Sequence, residues 1–200
     1  MNRMNITSRV ARIISTSPRF NLGTTVIELL VVAGVIAILA TITISSLPRG
    51  NPRGYIRKDA EKLAIDIRVA QNNAIVGKVN GATTPVNWGI NIRITGGRER
   101  QYILFSDVNG NCRYNNNEEV AIYALENGVV FTQLSSSNGS LNELNFCFSV
   151  PHGNAFIYDN NSDQGGYGTA RLSRVAPGGG IAPYRDVTMR VSGQISIIGN

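Results

Sequence analysis

The sequence predicts an α+β chain, a long N-terminal α-helix with an apolar half and an amphipathic half, packed on a C-terminal antiparallel β-rich head. Three observations lead there. An apolar run fills 24–47, and apolar side chains recur at the three-and-four spacing of a helix face over 55–77. From Val86 onward, short β-branched and aromatic runs alternate with Gly, Asn, Ser and Pro clusters. The expected segments are a basic leader at 1–23, an apolar helix at 24–48, a hinge and amphipathic helix at 49–79, and a head at 80–200.

The leader carries Arg3, Arg9, Arg12 and Arg19 and no acid, a bias expected of a cytoplasmic flank. The run Thr24 to Leu47 holds one charge, Glu28. At about 1.5 Å per residue it would reach about 36 Å, enough for a hydrocarbon core of about 30 Å, so a transmembrane helix is the expectation. An ionised acid at the centre of such a span costs about 3 kcal/mol, which makes Glu28 a residue in need of a use. Ala33, Gly34, Ala37 and Ala40 allow close approach of helices. Pro48, followed by RGNPRG, should break or loosen the helix.

The second helix pattern starts near Tyr55, with Ile56, Ala60, Leu63, Ile67, Ala70 and Ala74 on one face and Gly77 as its stop. Strands are expected at VNWGINIRI, QYILFS, EVAIYAL, GVVFTQL, LNELNFCFSV, NAFIYD, TARLSR, DVTMRVS and QISII, separated by turns such as TGGRER, SSSNGS and PHGN. Roughly 120 residues of this kind suffice for one modest core, and a single head follows.

The string G-TTVIELLVVAGVIAILA resembles the N-terminal signature of type IV pilins and type II secretion pseudopilins. That resemblance implies a pilin-like fold and removal of the leader by prepilin peptidase between Gly23 and Thr24. It also implies N-methylation of Thr24, which stands where the family usually has Phe or Met, and use of Glu28 in assembly. The implied partners are other pilin or pseudopilin subunits, the peptidase, inner-membrane assembly machinery and the membrane. The implied location is a single-pass membrane protein with an extracytoplasmic head, then a pilus or pseudopilus. KDAEKLAIDIRVAQNNAI, the strand with Trp88 and Gly89, FSDVNGN and FSVPHGNAF are similar in order to the GspH/FimT group of minor subunits. A major pilin, or a head that binds DNA or secreted cargo, is the alternative.

Asp107, Asn109, Asn111, Asn115 and Glu118 fall at positions 1, 3, 5, 9 and 12 of a calcium-loop frame, with Cys112 where the frame needs Gly. A structural Asx-rich turn is the competing reading and the favoured one, so no cofactor is expected. Cys112 and Cys147 are the only cysteines and are candidates for a disulfide, or Cys147 for a small buried hydrophobe. The net charge is +6; without the four leader arginines, the 19 basic residues become 15 against 13 acids, or +2. Arg98 and Arg100, with Arg171, Arg174, Arg185 and Arg190, form a candidate DNA-contacting patch, against the plainer reading of dispersed surface charge. No Walker loop, GxSxG, HExxH or dinucleotide glycine pattern is present, and His152 sits in a Pro-His-Gly turn; no enzyme is expected.

Overall fold

The computed structural model describes residues 25–45, 51–159, 162–174 and 183–199. It divides into two compact units, Met1–Arg49 and Gly50–Asn200. Gly23, Thr24, the rest of the leader and Pro48 lie outside the described residues.

In the first unit, α1 spans Val26–Ser45. Thr25 opens it: its Oγ1 accepts from the Glu28 amide at 3.3 Å and its carbonyl from the Leu29 amide at 3.1 Å. The Glu28 amide, one of the donors that every helix N-terminus leaves unpaired, is satisfied in this way, and the Leu29 amide makes the first regular helix bond.

In the second unit, α2 spans Pro52–Ile75. Asn51 is its N-cap, extended at φ −65° and ψ 101°, with Oδ1 accepting from the Arg53 and Gly54 amides. Pro52 follows at the first helical position, where its missing N–H costs nothing. Gly77, at φ 63°, turns the chain off the other end, and the Lys78 amide donates back to the Asn73 carbonyl.

Ten strands complete this unit. They are β1 (Asn87–Arg93), β2 (Gln101–Asp107), β3 (Glu119–Ala124), β4 (Val129–Ser136), β5 (Gly139–Leu141), β6 (Glu143–Ser149), β7 (Ala155–Tyr158), β8 (Tyr167–Arg174), β9 (Tyr184–Arg190) and β10 (Ile195–Ile198). They form two five-stranded antiparallel sheets, ordered β3-β2-β1-β6-β7 and β10-β9-β8-β4-β5. The SSSNGS segment, expected as a turn, is a hairpin: Ser136 pairs with Gly139 across Ser137-Asn138.

The fold class expected from the sequence is corrected by this arrangement. The described residues are mostly antiparallel sheet with two short, separate helices, and among them no long N-terminal helix packs on a β head. The physical reason is visible at Asn51-Pro52: a cap and an N1 proline start a new helix there rather than continue an old one. The transmembrane expectation is corrected as well. Among the described residues no helix is long and apolar enough to cross a membrane, so a single-pass membrane location is not supported.

The core lies where α2 crosses both sheets. Ile56, Ala60, Leu63, Ile67, Ala70 and Ala74 meet Trp88, Ile90 and Ile92 of β1, Phe146 and Phe148 of β6, and Leu172 and Met189 from the other sheet. Trp88 is fully buried and its indole N–H reaches the Lys78 carbonyl at 3.1 Å, so the chain leaving α2 is tied to the first strand.

Candidate functional site

Two places carry the residues that the sequence marks out. The first is α1. Ten of its large apolar residues between Val26 and Leu39 are 51–79% exposed, on every side of the helix. Glu28 sits exposed in the first turn, the one acid there, where the partial positive charge of the helix N-terminus favours it. Gly23 and Thr24, the expected cleavage pair, lie outside the described residues.

The second is the loop 108–118, which folds over the outer face of the first sheet. The side chains of β1 alternate, with Trp88, Ile90 and Ile92 inward and Asn87, Gly89, Asn91 and Arg93 outward. On that outer face Cys147 of β6 is bonded to Cys112 of the loop, with an S–S distance of 2.06 Å and Cα atoms 5.5 Å apart. Both cysteines are buried, and so is Phe105, against whose ring Tyr114 packs edge-on at 6.1 Å. Gly89 makes this possible: a Cβ there would stand 2.5 Å from the Phe105 ring and 2.7 Å from the Phe146 carbonyl oxygen.

The calcium-frame residues are brought together, but as a hydrogen-bonded loop. Asp107 is buried; its Oδ1 accepts from the Gly110 and Asn111 amides at 2.7 and 3.3 Å, its Oδ2 from the Cys112 amide at 2.8 Å and from Asn87 Nδ2 at 2.6 Å. Glu118 Oε1 accepts from the Val108 amide, and its Oε2 from the Asn115 amide and side chain. Asn109 and Asn111 accept from the amides two residues on. Cys112 takes the left-handed conformation, φ 57°, at the position where a calcium loop requires Gly. In this structure the oxygens of Asp107, Asn109, Asn111 and Glu118 serve the loop's own N–H groups, as in an Asx-rich turn. Asp107, Cys112 and Cys147 also lie within metal-ligating reach of one another, but the sulfurs are spent on the disulfide. For the same reason neither cysteine offers a thiol to His152, which is exposed in its turn.

The arginines are divided between the sheets. Arg98 and Arg100 sit in the turn before β2, with the Arg98 guanidinium 5.7 Å from the Tyr114 ring centroid. Arg171 and Arg174 are on β8, Arg185 and Arg190 on β9. Arg171 is neutralised by a two-pronged bond to Asp186, Nε to Oδ1 and Nη2 to Oδ2, each 2.8 Å. That bond, more than the accompanying charge attraction, raises the Arg171 pKa above the usual guanidinium value.

Sequence reasoning missed a polar network on the same outer face. Asn91 Nδ2 donates to Glu143 Oε1 and Asn145 Oδ1, Arg93 pairs with Glu143, and the Tyr114 amide donates to Asn145 Oδ1. The loop is thus held by a covalent bond and by this network together. The signal was the run Asn87-x-Gly89-x-Asn91-x-Arg93, polar or small at every second residue of a strand whose other face is apolar.

Comparison with protein-family models, with curated proteins and with solved structures returns no match.

Proposed function

We propose that this chain is a subunit of a type IV pilus or type II secretion pseudopilus, cut by prepilin peptidase after Gly23 and polymerised through α1. The observation that supports this is α1 itself, apolar and exposed on every side with a single acid in its first turn. A helix apolar all round has to be covered, and copies of the same helix supply matching apolar surface, with Ala33, Gly34 and Ala37 as points of close approach. Packing of that kind leaves Glu28 in need of a positive partner, since an unpaired buried carboxylate is costly. Cleavage after Gly23 creates one, the Thr24 α-amine, four residues before Glu28 in the sequence, or the same amine supplied by a neighbouring copy. The order of motifs in the head, from Trp88-Gly89 to the Pro-His-Gly turn, supports a minor, tip-associated subunit.

Intact mass of the full chain made in the producing cell tests the processing step. A mass beginning at Thr24, raised by one methyl group, is expected; an N-terminus at Met1 on chains recovered from filaments would contradict the reading.

A further inference from the structure

We propose that the outer face of the second sheet binds a neutral, polyhydroxylated chain, that is, an uncharged polysaccharide. The site does not rest on the filament reading, because it lies wholly within the second unit. Its floor is two polar rungs running across the strands, set by register. Gln133 of β4 pairs with Arg171 of β8, which pairs with Asp186 of β9. Ser135, Thr169, Thr188 and Ser196 follow in line across β4, β8, β9 and β10. The rungs are two residues apart along each strand, about 7 Å. Tyr167, on the same face of β8 two residues beyond Thr169, closes one end and is 38% exposed, and Ile198 stands at the far edge. Between them is a shallow groove of about 250 Å³.

The groove is preorganised. Arg171 is fixed by four partners: both oxygens of Asp186, Gln133 Oε1 at 3.2 Å from Nη1, and the Tyr184 ring, whose centroid lies 4.2 Å from the guanidinium carbon. Thr169 and Thr188 hold each other hydroxyl to hydroxyl at 2.8 Å. A rigid donor fork therefore lies beside a rigid acceptor pair, and the aromatic Tyr167 lines the same groove. A sugar hydroxyl both donates and accepts, so vicinal hydroxyls can use Arg171 N–H groups and Asp186 lone pairs at once, while the apolar face of the ring stacks on Tyr167.

Two other ligand classes fit less well. A phosphate would have to compete with the Asp186 carboxylate for Arg171, and the pair has no net charge to attract it. An extended peptide adds to a free strand edge, whereas β8 and β9 are hydrogen-bonded on both sides.

Saturation-transfer NMR on the full chain, with cellohexaose, chitohexaose and maltohexaose as probes, tests the site. Transfer to at least one probe is expected. Tyr167→Ala should weaken that binding by about fivefold, and Tyr167→Phe should keep it because the stacking face remains. Asp186→Asn should weaken it too, with the far-UV CD spectrum and unfolding midpoint of each variant as the check on folding. Added salt should change little. The proposal is overturned by no transfer to any of the three probes. It is equally overturned by wild-type affinity in Tyr167→Ala, or by displacement of the sugar by a DNA duplex at low salt, which would make the face an anion site.

Discussion

Replacing Cys112 and Cys147 together with Ala removes a cross-link between residues 35 apart in sequence. In the chain-entropy account, closing a loop of that length lowers the entropy of the unfolded chain by about 13 cal/mol/K, or about 4 kcal/mol at 25 °C. A domain of roughly 150 residues loses about 2–4 °C of midpoint per kcal/mol, so the double variant should melt about 8–15 °C lower. The loss should also have a location. The amides of Gly110, Asn111 and Cys112 are held on Asp107 in a loop that the bond pins over Phe105. Their hydrogen exchange should rise well before that of the β1 and β6 ladder, whose register is set independently. Thermal unfolding followed by circular dichroism, with exchange read by mass spectrometry, measures both. A fall of under about 2 °C, together with unchanged exchange at 110–112, would mean that the loop is held by the Asn91–Glu143–Asn145 network alone, and the reasoning from the disulfide would fail.

Gly89→Ala places a Cβ against the Phe105 ring and the Phe146 carbonyl, one of them backbone that cannot swing away, so a loss of about 3 kcal/mol is expected from chemical denaturation; a variant as stable as the parent would show that the outer-face packing is looser than described. Asp59 is buried on α2, and that burial raises its carboxyl pKa above the usual carboxylate range against the smaller opposing effect of the bond from the Glu126 amide. The folded chain thus holds this proton more tightly than the unfolded one, and the stability it gives fades as pH rises from about 4 through the raised value. Asn stays neutral and can still accept from the Glu126 amide, so the midpoint of Asp59→Asn relative to wild type should improve between pH 4 and pH 7; a relative midpoint that worsens with pH would reverse the assignment.

Local periodicity made much of the second unit legible. The inward face of α2 follows from the spacing of Ile56, Leu63 and Ile67, and the strands lie on the β-branched runs because burial on one face demands alternation. What local patterns do not carry is partnering. Nothing near Asn87 announces Ser149 as its neighbour, and the division into two sheets depends on such distant pairings. Two good helical patterns in succession predict one long helix with two halves; the capping geometry of Asn51-Pro52 separates them. At the loop, spacing placed Asp107 and Glu118 in a ligand frame, yet spacing does not say which donors will satisfy them. Here the loop's own amides do. The sheet-face groove was hidden for the same reason: Arg171 reads as a free positive charge until Asp186 is found opposite it.

The central claim is that α1 is an assembly surface whose acid matters after cleavage and not for it. The direct measurement compares wild type with Glu28→Ala in the producing cell, taking the mass of the N-terminus and the fraction of the chain recovered in sheared filaments from the same cultures. An N-terminus at Thr24 in both, with the filament fraction of the variant reduced about tenfold or more, is the predicted result, a loss of roughly 1.4 kcal/mol per added subunit being enough for it. Loss of cleavage as the main defect, or filaments at wild-type abundance, would contradict the account.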